Sequence, residues 1–146
     1  MKRFFLVCFF AYFFSFSHQG FAAVQVFGPD FARFQVDVPD GWAATPNDGG
    51  CQISSPDQGS SISIQVHKAN GNTIDVFADA IAKNIQGKIV KVEKESDTQT
   101  VIHAEVDGVR IAIICMLAED KFLTVTMAGS DEEKLKAIIN SLDEAK

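Results

Sequence analysis

Two histidines, His67 and His103, are the only imidazole side chains beyond residue 22 of the sequence. Imidazole is a general base and a frequent metal ligand, so these residues define the chemistry that the chain could support. Both occupy polar positions of alternating segments, and no H-x-x-x-H pair or Cys/His cluster supplies ligands at a defined spacing. We therefore assign no catalytic, cofactor-binding or metal-ligating residue. A small metal-dependent or hydrolytic enzyme, with a site assembled from His67, His103 and nearby carboxylates, is kept as an alternative.

Cys51 and Cys115 are the two cysteines beyond residue 22, and two interpretations of them remain open. In an oxidising compartment an even number of cysteines favours a disulfide, which would here close a long loop. Cys115, however, lies in the most apolar segment of the chain, where a free thiol packs as a small hydrophobic group. There is no C-x-x-C sequence, so we expect no thioredoxin-like redox site.

Other common catalytic patterns do not match. Ser60 and Ser61 follow a glycine but lack the G-x-S-x-G sequence of a nucleophile elbow. Gly49 and Gly50 precede a segment with strand character rather than a helix, so they do not form a phosphate-binding loop. We expect no cofactor and a protein that is not an enzyme.

Residues 43–50 (AATPNDGG) form the most loop-like stretch after residue 22, and they follow Trp42. An aromatic side chain beside such a loop could anchor a partner, with Asn47 and Asp48 as neighbouring contacts. Alternatively, Trp42 covers the end of the core, which is the more common role of a large aromatic residue.

The composition excludes several partners. Beyond residue 22 the chain has no Tyr and only two Arg, Arg33 and Arg110, whereas interface hot spots are enriched in Trp, Tyr and Arg. The formal net charge of the whole sequence is −6, and no basic stripe interrupts the acidic surface. Binding to nucleic acid or to an anionic membrane surface is therefore not expected.

The first 22 residues have the three-part pattern of a secretory signal peptide. Lys2 and Arg3 precede a Phe-rich apolar run, and a small-residue site follows at residues 20–22. The run is short for a membrane span, and cleavage after Ala22 would leave residues 23–146 as a single domain without stable membrane insertion. We expect an exported protein, periplasmic or secreted, that is a monomer and carries no lipid.

Hydrophobic periodicity predicts the elements that would position these side chains. Residues 101–127 read as three consecutive strands joined by turns at Asp107-Gly108 and Glu119-Asp120. Residues 109–117 are apolar on both faces, so the middle strand must be covered on both sides. Apolar residues with a helical period follow Thr73, and a second helix is predicted after Ser130, with Glu133 completing a capping box. The fold class is α+β, a largely antiparallel sheet of about six to seven strands with two amphipathic helices packed on it.

An F-x-V-x-x-P-x-G-W segment, formed by Phe34, Val36, Pro39, Gly41 and Trp42, precedes a hairpin, a helix and a long antiparallel meander. A C-terminal helix that ends with residues 138–142 closes the chain. This pattern resembles the α/β/α-sandwich group that includes PsbP-like proteins, DcrB-like exported proteins and a Ran-binding nuclear transport factor. The resemblance implies an α/β/α sandwich and a mostly non-enzymatic group whose members bind different partners. The group's last helix often closes on Ser-Phe, whereas this chain has Ser141-Leu142. We therefore expect an exported, non-catalytic binding or accessory module whose partner is an unidentified envelope protein or small ligand.

Overall fold

The computed structural model describes residues 23–146, which form two sheets and two helices. In chain order the elements are β1 (Ala23–Phe27), β2 (Phe34–Val38), β3 (Ala43–Asn47), β4 (Gly50–Ser54), β5 (Ser60–Lys68), α1 (Ile74–Asn84), β6 (Lys88–Ser96), β7 (Gln99–Val106), β8 (Val109–Ala118), β9 (Lys121–Gly129), α2 (Glu132–Asn140) and β10 (Asp143–Glu144). The predicted signal peptide, residues 1–22, lies outside the described residues.

All strand pairs are antiparallel and divide between a large and a small sheet. The large sheet has seven strands in the order β3-β4-β5-β9-β8-β7-β6, and the small sheet has three in the order β1-β2-β10. The predicted α+β class with a largely antiparallel sheet and two helices is confirmed.

The meander of β7, β8 and β9 forms as the sequence predicts. Asp107 and Gly108 both have positive φ, 50° and 78°, as a two-residue type I′ turn requires. Glu119 has a φ of 55° at the next turn. Because these turns are local, the register of the two hairpins follows from them, with Val106 opposite Val109 and Ala118 opposite Lys121.

Both helices are capped at their N-termini by a side chain. Thr73 accepts a hydrogen bond from the Val76 N–H and begins α1, as predicted. The N-cap of α2 is Asp131 rather than Ser130, so the predicted capping box is wrong. The Asp131 backbone N–H donates to the Ser60 hydroxyl of β5 at 3.0 Å, which ties the start of α2 to the sheet.

Two apolar cores lie on opposite faces of the large sheet. The small sheet and α2 cover one face at the β4-β5-β9 side, whereas α1 covers the other face over β7 and β8. We call these the α2-side core and the α1-side core. The α2-side core consists of Phe34, Val36, Val38, Trp42, Cys51, Ile53, Ile62, Ile64, Val66, Val125, Leu135 and Ile138. The resulting arrangement of layers is an α/β/α sandwich in which the small sheet shares one outer layer with α2.

One predicted loop is instead a strand. Residues 43–47 pair with β4 as β3, at the edge of the large sheet, despite the turn-rich composition of that segment. Edge position explains how Pro46 is tolerated, since an edge strand can leave one side of its backbone unpaired.

Candidate functional site

His67 and His103 lie on opposite faces of the large sheet. His67 of β5 is half-buried, and its ring centroid is 5.8 Å from that of Phe77 in α1. His103 of β7 points to the α2 side, where its Nε2 lies 2.9 Å from Glu93 Oε2. The sheet therefore separates the two imidazoles, and the alternative enzymatic site is not assembled. Within residues 23–146 no group of three or more His, Cys, Asp or Glu side chains is arranged to hold a metal ion.

The two cysteines are free, buried thiols in different cores, and the disulfide that the sequence left open as one of two interpretations is not formed. Cys51 of β4 belongs to the α2-side core and Cys115 of β8 to the α1-side core. Three strand spacings, about 14 Å, separate β4 from β8 in the sheet, twice the Cα separation of about 7 Å that a disulfide allows. Burial raises the pKa of each thiol to about 11. Packing, the second interpretation open from the sequence, accounts for both residues.

Trp42 is buried in the α2-side core, with 8 % of its surface exposed, so its side chain covers the end of the core. Asn47 and Asp48 lie at the exposed turn between β3 and β4, where Asn47 Oδ1 accepts a hydrogen bond from the Gly49 N–H at 3.2 Å. Of the three predicted partner residues, Asn47 and Asp48 are therefore exposed, whereas Trp42 is buried at the opposite end of the β3–β4 hairpin.

A groove lies between α2 and the strands β7, β8 and β9, and we call it the α2 groove. Its volume is about 440 Å³, which is within the usual range of ligand sites. Strand residues form an apolar floor and α2 supplies one wall. The residues that define it are Ala112, Ile114, Met127, Leu135 and Ile139, with charged residues at the rim.

The groove exists because β8 is apolar on both faces, but residues 23–146 bury only one of them fully. Ile113 and Cys115 are buried beneath α1, whereas Ala112, Ile114 and Met116 on the opposite face are only half-buried. The sequence correctly indicated that this strand needs cover on both sides. It did not show that α2 lies beside β2 and over β5, so that within residues 23–146 no helix lies over β7 and β8 on that face.

Four polar residues stand at the rim of the groove, the imidazole of His103 and the charged side chains of Arg110, Glu132 and Lys136. Lys136 Nζ lies 3.5 Å from Glu132 Oε2, an exposed pair on α2. Arg110 makes no ion pair with any of the residues 23–146. The rim therefore presents cationic groups on a protein whose net charge is negative.

The imidazole of His103 is part of a short charged chain on β6 and β7. Glu93 contacts both Lys91 and His103, and hydrogen bonds from Lys91 first and His103 second hold the pKa of the Glu93 carboxyl below its usual range. An ionised Glu93 orients the His103 ring at the edge of the groove. Among residues 23–146 this arrangement gives His103 a positioning contact but no set of metal ligands.

Sequence reasoning missed Arg110, Ile114, Met127 and Ile139 as a candidate site. The sequence did contain one signal of this site: the middle strand of the meander needs cover on both faces, and the sequence predicts only two helices to cover the whole sheet.

No helix among residues 23–146 is long and apolar enough to cross a membrane.

Comparison with known proteins agrees with the layered architecture. No family model matches the chain, and no curated protein matches its sequence. Among solved structures, the cyanobacterial PsbP (CyanoP) of Synechocystis sp. PCC 6803 is similar over 88 % of this chain and 96 % of its own, with 11 % identity and a TM-score of 0.53. A protein of Bacteroides thetaiotaomicron aligns with 77 % of this chain and 45 % of its own, with 17 % identity and a TM-score of 0.46.

These findings define an α/β/α sandwich. The chain has a PsbP-like fold, and the resemblance found in the sequence is confirmed at that level. At such low identity the likeness concerns the fold alone.

Proposed function

We propose that this chain is an exported, non-catalytic accessory module that binds a partner protein through the α2 groove. The observation that carries the proposal is the half-buried apolar floor formed by Ala112, Ile114 and Met127 beside α2. Half-exposed aliphatic residues side by side in a rimmed groove are a typical feature of interaction surfaces. Export is supported by the N-terminal sequence pattern, and the non-catalytic role by the separation of His67 from His103.

The dimensions of the groove favour an amphipathic helix as its occupant. From β9 to β7 the open face is two strand spacings wide, about 10 Å, which matches the diameter of a helix. The chain itself covers the opposite face of β7 and β8 with the eleven-residue helix α1. A partner helix seated in the α2 groove would complete the same layer on this side.

The rim indicates the charge of that helix. Arg110 and Lys136 flank the apolar floor, so an acidic side chain beside the partner's apolar stripe would face a cation. Rim charges of this kind act mainly on the rate and specificity of association. The apolar stripe would supply most of the affinity.

A photo-crosslinking amino acid placed at position 110 tests the proposal in intact cells that produce the protein. We expect a discrete crosslinked protein from this site and none from the same group at position 83, an exposed position on α1 at the other side of the sheet. Equal products from both positions, or none from position 110, would contradict the proposed surface.

Charge reversal on α2 provides a matched pair for the same experiment. Lys136→Glu changes a rim residue, whereas Lys134→Glu changes an exposed residue of the same helix that does not line the groove. We expect the crosslink from position 110 to fall at least fivefold with Lys136→Glu and to persist with Lys134→Glu. A small molecule that co-purifies and is lost with Lys136→Glu would instead identify the groove as a ligand site.

A further inference from the structure

Within residues 23–146 the two sheets end in four edge strands. β3 and β6 are the edges of the large sheet, and β1 and β10 are the edges of the small sheet. An edge strand carries unpaired backbone N–H and C=O groups that can pair with another strand. Proteins usually blunt such edges with charge, proline, bulges or short length.

Three of the four edges are blunted in these ways. β6 carries Lys88, Lys91 and Lys94 and has two register shifts in its pairing with β7. β3 contains Pro46, which has no backbone N–H to offer a further strand. β10 has only two residues, both acidic.

β1 has none of these features. Its sequence, AVQVF, contains no charge and no proline, and its five residues pair with β2 in unbroken register. Val24 and Val26 project from the outer face of the small sheet with 62 % and 50 % of their surface exposed. This is a regular, uncharged strand edge with apolar residues beside it.

We propose that β1 pairs antiparallel with β1 of a second copy of this chain, about a two-fold axis at Gln25. In that register Gln25 faces Gln25, Val24 faces Val26, and Ala23 faces Phe27 of the other copy. Each pair keeps its residues on the same face, because Val24 and Val26 share the outer face and the other three share the inner one. The two small sheets then become one six-stranded sheet.

A second copy fits this edge because the strand is complementary to itself. The two-fold pairing brings no like charges together, and it extends the exposed Val24 and Val26 into a four-valine patch across the axis. Two glutamine amides at the axis can donate to and accept from one another.

The expected dimer is weak. A pair of five-residue strands is about 17 Å long. The surface area that such a pair buries is smaller than the roughly 1,000 Å² of a stable complex. The expected monomer therefore predominates at low concentration, and association appears as the concentration rises.

Sedimentation equilibrium tests the proposal. The protein is purified as its host produces it and measured at concentrations from about 5 to 500 µM. We expect the weight-average mass to rise toward twice the monomer mass. Val24→Lys should weaken dimerisation at least tenfold, because lysine at an edge opposes strand pairing. Val90→Lys on β6, where Val90 is 60 % exposed, is the matched control and should leave dimerisation unchanged.

Amide hydrogen exchange of β1 gives an independent measurement. Pairing predicts that amide protection in residues 23–27 rises with protein concentration, at least threefold across the same range. A constant monomer mass up to 500 µM overturns the proposal. So does a dimer whose β1 amides exchange at a rate independent of concentration, or one that Val90→Lys weakens and Val24→Lys does not.

Discussion

The hydroxyl of Ser141, at the C-cap of α2, accepts a hydrogen bond of 2.9 Å from the backbone N–H of Asp37 in β2. The same hydroxyl donates to the Ile138 carbonyl at 2.7 Å. One side chain thus joins the end of α2 to the middle of the small sheet, 104 residues away in the chain. Because α2 forms one wall of the α2 groove, this contact also helps to set the position of that wall.

Ser141→Ala should lower the free energy of unfolding by about 1–2 kcal/mol, since it leaves the part-buried Asp37 N–H without its partner. Urea unfolding followed by circular dichroism measures the change. Ser141→Thr retains a hydroxyl and should recover at least half of the loss. Equal stability of wild type and Ser141→Ala would show that water replaces the hydroxyl at no cost.

The thiols of Cys51 and Cys115 should be unreactive in the folded protein. With a pKa of about 11, the ionised fraction at pH 8 is about one in a thousand, and both side chains are buried. After denaturation without reductant, titration with a thiol reagent should detect two thiols in each chain that begins near Ala23. Before denaturation it should detect almost none within minutes, because a stable fold rarely exposes its core. If the denatured, non-reduced protein contained no free thiols, Cys51 and Cys115 would be joined by a disulfide after all.

The charged contacts of Glu93 predict a dependence of stability on pH. Its pKa is lower in the folded protein than in the unfolded chain, so the ionised form stabilises the fold above the unfolded pKa of about 4.3. This contribution is lost as the pH falls through the lower, folded pKa. As the pH falls from about 5 to 3, the free energy of unfolding should therefore decrease less for Glu93→Gln than for the wild type. This is about the interval in which a glutamate with a lowered pKa titrates.

Glu95→Gln is the matched control for that measurement. Glu95 is an exposed residue of the same strand and makes no ion pair with any residue between 23 and 146. Its substitution should leave the pH dependence of unfolding unchanged. An identical response of the two variants would show that the contacts of Glu93 do not affect its titration.

Gly129 and Gly108 should respond differently to substitution by alanine. Gly129 has a φ of 110°, and a Cβ at this position would overlap the Gly59 carbonyl and Ser60, next to the contact that starts α2. Gly108 has a φ of 78° at an exposed turn, and a Cβ there would meet no atom within 4 Å. We expect a loss of about 2–5 kcal/mol for Gly129→Ala and about 1 kcal/mol for Gly108→Ala, measured by chemical denaturation. Equal losses would contradict the close approach at Gly129.

The exported protein should begin at or near Ala23 and carry no lipid. The Phe-rich run and the small residues at positions 20–22 match a cleaved signal peptide. Intact mass spectrometry of the protein recovered from the envelope or the medium measures this directly. A mass that includes residues 1–22 would contradict the predicted processing.

Local sequence determined the elements whose hydrogen bonds close within a few residues. The Asp107-Gly108 turn set the β7–β8 hairpin because both residues tolerate positive φ, and Thr73 set the start of α1 because its hydroxyl reaches a free N–H nearby. The apolar stripes of α1 and α2 follow from a period of 3.6 residues, and the α+β class follows from these elements together.

The tertiary structure decided what depends on distant contacts. Residues 43–47 became a strand because β4 offered them an edge, and Asp131 replaced Ser130 as N-cap because the Ser60 hydroxyl fixed its backbone. Val90 and Val92, which alternation alone would place inward, are exposed on β6, an edge strand of the large sheet whose pairing with β7 shifts register between Ile89 and Lys91.

The same holds for the candidate site. Strand order placed Cys51 and Cys115 in separate cores and His67 and His103 on opposite faces, and neither arrangement follows from sequence spacing. The sequence showed that β8 needs cover on both faces. Only the packing of α2 over β5 and beside β2 decided that residues 23–146 leave one of those faces partly exposed. Helix placement depends on the sum of many long-range apolar contacts rather than on any local pattern.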